Sequence, residues 1–151
     1  MPEQAANDRT FSSVYRHSVD EKRRVPIPFR WRPEESIEFT IIVWAQHKAG
    51  KCLRVMAPAQ WAKLRADIEA MSSPEQRQLI KRSIGSLSIQ AKLDASGRIS
   101  IPENMAAAAD ITNQAVLVGL LDQFEIWSPD RYATVEAMDA AEAPRVWQLI
   151  G

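Results

Sequence analysis

Cysteine, histidine and glycine are scarce in this chain, and each scarcity closes off a class of chemistry. The sole cysteine, Cys52, leaves no disulfide framework within the chain and fits a reducing compartment. Cys52, His17 and His47 lack the number and spacing of a zinc site. The five glycines are dispersed and build no phosphate-cradling loop, and no nucleophile–base set stands beside them. No apolar run approaches the roughly 20 residues that span a bilayer, and the N-terminus has no apolar signal core. The expectation is a cytoplasmic protein with no membrane contact and with no catalytic residue, cofactor or metal.

What is present suits a globular protein. Of the 151 residues, 46% are hydrophobic and 25% charged, enough for one compact domain or two small, mutually dependent halves. Formal net charge is zero, but the charge is segregated. Residues 16–32 carry six Lys/Arg against two acids, and residues 77–98 carry five against one. Residues 103–151 carry two against eight. Such basic segments on a neutral chain point to an anionic partner met at one face.

Both basic segments contain or end at a repeated motif. Asp20-Glu21-Lys22-Arg23-Arg24-Val25-Pro26-Ile27-Pro28 is echoed 74 residues later by Asp94-Ala95-Ser96-Gly97-Arg98-Ile99-Ser100-Ile101-Pro102. In the second copy Ile89, Ala91 and Leu93 alternate with polar residues, as do Ile99 and Ile101. This period of two on both sides of Ala95-Ser96-Gly97 predicts a β-hairpin with one buried face. Gly97 suits the left-handed last place of a three-residue turn. In the first copy that place is taken by Arg23, where a left-handed backbone costs about 1–2 kcal/mol. Either the turn differs there, or something offsets the strain, such as a phosphate met by Arg23.

The aspartate and arginine of each motif admit two readings. In one, the aspartate accepts nearby backbone N–H groups and the arginine closes on it as an exposed ion pair. In the other, the aspartate aims a guanidinium whose planar fork meets guanine O6 and N7 or a phosphate. Their recurrence amid Lys22, Arg23 and Lys92 favours an anion-binding face.

The remaining chain reads as follows. Residues 1–10 are expected to be a mobile tail, and Phe11 to Ile27 the first hairpin. Ile37 to Trp44 and Cys52 to Met56 read as strands joined by a turn at Lys48-Ala49-Gly50. A helix starts at Pro58, with Trp61, Leu64, Ile68 and Met71 on one face. Ser73-Pro74-Glu75-Gln76 caps a second helix, with Leu79, Ile80 and Ile84 inward and Gly85 at its end. Arg77, Lys81 and Arg82 lie on that helix, facing phosphate or solvent. A short helix over Glu103 to Ala109 follows the second hairpin. Ala115 to Leu120 and Gln123 to Trp127 then make another strand pair, and Ser128 caps a helix at Pro129. Glu142 to Gly151 reads as a final helical turn against a neighbour. The halves are therefore set at 11–85 and 86–151. Neither half buries both faces of its short sheet alone.

Phe11-x-x-x-Tyr15-x-His17-Ser18-Val19-Asp20-x-Lys22-x-Arg24-Val25-x-Ile27-Pro28, then Leu93-Asp94-x-x-Gly97-Arg98-Ile99-x-Ile101-Pro102, resemble the MraZ family of AbrB-like bacterial DNA-binding regulators. Val116-Leu117-Val118-Gly119 and Asp122-x-Phe124-Glu125-Ile126-Trp127 extend the likeness over most of residues 11–138. Arg23 and Ser13 stand where the family commonly has glycine. The resemblance implies an α+β fold: two pseudo-repeated, hairpin-rich halves interleaved into a small AbrB-like β-barrel of the swapped-hairpin or double-psi type, with peripheral helices. It also implies a homo-oligomeric ring that sets several Asp-x-x-x-Arg loops on one face. The expected partner is double-stranded promoter DNA with short direct repeats. The expected role is sequence-specific, nucleoid-associated regulation of the division and cell-wall gene cluster, usually by repression. On this reading Arg24 and Arg98 read bases or adjacent phosphates, and Lys22, Arg23 and Lys92 supply phosphate charge. Asp20, Asp94 and Gly97 shape the loops. The rival readings are an AbrB-like antitoxin and, more remotely, an enzyme on a related barrel.

Overall fold

The computed structural model describes residues 10–151, so the expected tail, residues 1–10, lies outside the described residues except for Thr10. In chain order the elements are β1 (Val14–Ser18), β2 (Arg24–Pro26), a 3-10 turn (Phe29–Trp31), β3 (Phe39–Trp44) and β4 (Cys52–Met56). Helices α1 (Pro58–Glu69) and α2 (Pro74–Ser86) follow, then β5 (Ser88–Ala91), β6 (Arg98–Ser100) and α3 (Glu103–Ala108). The chain closes with β7 (Gln114–Gly119), β8 (Phe124–Trp127) and α4 (Pro129–Ile150).

The turns expected in the two motifs are present, but the strands beside them do not pair with each other. Instead β2 pairs antiparallel with β6, setting Val25 opposite Ile99, while β1 pairs with β7 and β5 with β3. The expected hairpins are thus corrected to two tight turns whose arms separate, each arm laddering onto the other half. The reason is burial. Val25, Ile27, Ile99 and Ile101 are all essentially inaccessible, and crossing over places these four side chains in one core. Reciprocal bonds from Ile27 N–H to Gly97 O and from Ile101 N–H to Arg23 O, both 2.9 Å, extend the short β2–β6 ribbon.

The larger sheet has the order β1-β7-β8-β4-β3-β5. Exchanging the halves (β1 for β5, β3 for β7, β4 for β8) returns the same order reversed. Its midpoint is the β4–β8 pair, where Arg54 faces Glu125. The fold is therefore a mixed α+β arrangement of an antiparallel six-stranded sheet, a two-stranded ribbon and helices, and among the described residues no pairing joins β1 to β5 to close a barrel.

One face of the sheet carries the main core. There Phe11, Trp31 and Phe124 pack with ring centroids 4.8–5.8 Å apart, and Tyr15 meets Trp31 edge-on. The other face buries Cys52, Val116 and Trp127 beneath Tyr132 and Val135 of α4. Burial raises the Cys52 thiol pKa far above its usual value, so this side chain packs as a small hydrophobe. Between sheet and helix, Glu125 accepts from Trp127 Nε1 at 2.9 Å and pairs with Arg54 Nε at 3.4 Å. Arg54 in turn stacks on Trp44 at 4.0 Å.

Helix starts follow the sequence closely. Ser73 Oγ accepts from Gln76 N–H at 3.2 Å and Ser128 Oγ from Arg131 N–H at 3.3 Å, each followed by proline in the first turn. Two expectations about helix faces fail. On α2, Leu79 is 58% exposed while Ile80 and Ile84 are only partly covered, so the inward face has no full partner within the chain. Residues 142–150 are not a separate turn but the continuation of α4, which runs through Pro144. Among the described residues no helix is long and apolar enough to cross a membrane.

Candidate nucleic-acid interface

The two motif loops follow one hydrogen-bond plan. Asp20 Oδ1 accepts from the N–H groups of Lys22 and Arg24, both at 2.9 Å, and Oδ2 accepts from Arg24 Nε at 2.6 Å. Asp94 Oδ1 accepts from Ser96 and Arg98 N–H, both at 2.9 Å, and Oδ2 from Arg98 Nε at 2.9 Å. The backbone repeats as well: Arg23 N–H reaches Asp20 O and Gly97 N–H reaches Asp94 O, each at 2.9 Å. An aspartate is suited to this place because its short side chain reaches N–H groups two and four residues on. These donors, foremost the N–H of Arg24 or Arg98, hold each carboxyl below its ordinary value, so both aspartates are ionised at neutral pH.

Strand alternation sets where the arginines point. In the β2–β6 ribbon Val25 and Ile99 face the core, so Arg24, Pro26, Arg98 and Ser100 share the opposite face. Arg98 Nη1 also comes within 3.7 Å of Asp20 Oδ2, which ties the second loop to the first. Each guanidinium gives Nε to its own aspartate and remains about 30% exposed. Lys22 and Lys92 are exposed beside the loops. The structure thus brings Arg24 and Arg98 to one face of the ribbon, each held by its own aspartate, while Lys22 and Lys92 are exposed two residues from Asp20 and Asp94 in the chain.

Arg23 behaves differently from the others. Its backbone is left-handed at φ 60°, close to Gly97 at φ 77°, so the first turn keeps the shape of the second without a glycine. Ser13, the other position set against a common glycine, is also left-handed, at φ 80°. The offset to the strain at Arg23 comes from within the chain: its Nε donates to Ile101 O at 3.1 Å. Sequence reading missed the counterpart. Over Gly97 lies the guanidinium of Arg32, whose Nε donates to Ile27 O at 2.8 Å, and a Cβ at Gly97 would overlap it. Each half thus has an arginine on the carbonyl of its Ile-Pro step, supplied from a different place in the chain. Only the absence of a side chain at Gly97 admits Arg32, and no spacing in the sequence announces it.

A paired substitution tests this account. Gly97→Ala is expected to lose about 1–2 kcal/mol through left-handed strain, with displacement of Arg32 added. Arg23→Gly removes similar strain but also a hydrogen bond worth about 0.5–1.5 kcal/mol, so its net change stays within about 1 kcal/mol. Urea unfolding distinguishes them; equal losses would contradict the offset assigned to Arg23.

Other candidates fall away from this face. His17 points inward with Tyr15, their rings parallel at 6.4 Å. Arg77 Nη1 caps the carbonyl of Met71 at 2.7 Å, and Lys81 pairs with Glu69. Among the described residues no group of His, Cys, Asp and Glu could hold a metal.

Together these features define an α+β protein with crossed-over halves and two Asp-x-x-x-Arg loops of one design on a shared ribbon. Comparison with known proteins agrees with that class. Residues 88–146 match the family model for MraZ protein, a family described in antitoxin-like terms. Proteins named transcriptional regulator MraZ match nearly end to end. That of Roseiflexus castenholzii is 38% identical over 133 residues, 86% of this chain and 90% of the relative. That of Herpetosiphon aurantiacus is 36% identical over 138 residues, covering 89% and 92%. That of Leuconostoc mesenteroides is 30% identical over 131 residues, covering 86% and 89%. The chain belongs to the MraZ family. Membership sets aside the enzyme reading, since these relatives carry the name of a regulator and not of a catalyst.

Proposed function

We propose that this chain is a DNA-binding transcriptional regulator that grips short direct repeats in promoter DNA through its paired loops. The observation that carries the reading is the shared outward face of Arg24 and Arg98, each braced by an aspartate. An aspartate that takes Nε leaves both Nη nitrogens of Arg24, and on Arg98 the Nη2 beside the Nη1 that lies 3.7 Å from Asp20 Oδ2, to meet guanine or phosphate. Lys22, Lys92 and the remaining nitrogens of Arg23 add phosphate charge. Asp20, Asp94 and Gly97 hold the loops in shape.

In this reading the halves 11–85 and 86–151 act as one interleaved, AbrB-like unit. Copies of the chain join in a ring in the cytoplasm, on the nucleoid. The resemblance to MraZ makes the division and cell-wall gene cluster the target and repression the usual outcome. One arginine per loop discriminates a base by about 1–3 kcal/mol, too little to find a promoter. Repetition supplies the rest, because each later contact forms at high effective concentration. An antitoxin would hold its toxin with a loose C-terminal tail, whereas residues 129–150 form one helix.

The test is fluorescence anisotropy on duplexes carrying one copy or several adjacent copies of the repeat upstream of the gene. Adjacent copies at helical-turn spacing are expected to bind about 100-fold or more tighter than one copy. The same copies set half a turn out of phase should lose that gain. Equal affinity for all three duplexes would end the proposal.

A further inference from the structure

Phe29, at 82%, is the most exposed large apolar side chain among the described residues. It opens the 3-10 turn Phe29–Trp31, just after the Ile27-Pro28 step that crosses to the second loop. Trp31, at the other end of the turn, is buried in the aromatic core, so the turn is anchored from beneath while Phe29 buries little. The ring is nevertheless held in place. Arg32 Nε donates to Ile27 O at 2.8 Å, its guanidinium packs on Gly97, and the same group lies 5.9 Å from the centre of the Phe29 ring. Ring, guanidinium and turn thus form a row that ends at Gly97, next in the chain to Arg98.

The surroundings of the first loop differ. At the 74-residue spacing of the motifs, Phe29 corresponds to Glu103, the exposed first residue of α3, and Arg32 to the buried Ala106. The arginine on the Ile101 carbonyl comes from the loop itself, as Arg23. The two loops therefore share a hydrogen-bond plan but not a neighbour: an apolar ring follows one Ile-Pro step and a carboxylate the other.

We propose that Phe29 is a base-contacting residue of the second loop: where Arg98 meets guanine in the major groove, the Phe29 ring packs on the 5-methyl group of a neighbouring thymine. Guanine shows O6 and N7 in that groove, and thymine shows its methyl group there, so one loop and its flank meet both. Glu103 ends in a carboxylate, which is costly to desolvate against a methyl group, so the first loop reads its share of the DNA without this contact. Each DNA repeat is then read in two unlike parts, which gives it a direction.

The inference rests on the proposed function, because it sets Phe29 on the same DNA face, and its test separates the two. A duplex carrying the adjacent repeats upstream of the gene is made in two forms, one with thymine and one with deoxyuridine throughout, which differ only in the 5-methyl groups. The full chain, Phe29→Ala and Arg24→Ala/Arg98→Ala are titrated with each by anisotropy at two salt concentrations, and circular dichroism checks folding. Burying one methyl group multiplies affinity by about 4, so the wild type should bind the uracil duplex at least about 4-fold more weakly. Phe29→Ala should lose the same factor or more on the thymine duplex, equally at both salt concentrations because no charge is removed, and should not distinguish the two duplexes. Equal binding of both duplexes by the wild type, or an undiminished thymine preference in Phe29→Ala, would overturn the assignment of Phe29. The loop reading would then still stand on the loss measured in the double arginine variant. Undiminished binding by that double variant would overturn the loop reading and this inference together.

Discussion

Replacing Arg24 and Arg98 together by alanine should lower operator affinity by at least about 100-fold while leaving the protein folded, each loop supplying roughly 1–3 kcal/mol of base discrimination. The fold should survive because both side chains stand on the solvent side of the ribbon, about 30% exposed, while Val25 and Ile99 hold its core side. Titration by anisotropy at two salt concentrations, with circular dichroism as the folding check, measures the loss. Arg24→Lys sharpens the test. It keeps a positive charge, so the salt dependence should change little. It loses the planar fork, so discrimination between the operator and a scrambled duplex should fall. Undiminished operator affinity in the folded double variant would refute the role given to these arginines.

The largest loss of stability is expected from Glu125→Ala, about 3 kcal/mol by loss of one member of a desolvated ion pair. Glu125 is 8% exposed and stands where the two halves meet in the middle of the sheet, opposite Arg54. Truncation leaves the Arg54 guanidinium without its carboxylate and the Trp127 indole N–H without its acceptor, in a layer sealed by α4. Glu125→Gln retains an acceptor for the indole and removes only the charge, so its loss should be about half as large. Thermal and urea unfolding give both values. A Glu125→Ala protein as stable as the wild type would mean that this layer is open to water, contrary to the burial of Trp127 and Cys52.

How much of this was legible beforehand depended on the range of the interaction concerned. The turn chemistry at Asp20 and Asp94, the caps at Ser73 and Ser128, and the strands over residues 52–56 and 123–127, the latter observed from Phe124, could be read directly, because each arises among residues a few places apart. Period-two alternation told that Val25 and Ile99 face inward, but not that they would be neighbours, since a pleat specifies a face and leaves the adjacent strand open. The hairpin expectation failed for that reason. Arg32 over Gly97 was out of reach because the contact depends on a space that two distant segments enclose. The exposed α2 face was misjudged because helical periodicity marks a stripe to be covered without naming what covers it.

Alone, the sequence determined the two loops, their charge and the faces that must be hidden, since these follow from side-chain reach and periodicity within single segments. Only the tertiary structure decided which strands pair across the halves, that Arg24 and Arg98 come to one face of the ribbon, and that Arg23 keeps a glycine's backbone. Those outcomes follow from burying Val25, Ile27, Ile99 and Ile101 in one core, a gain that no half obtains from its own residues.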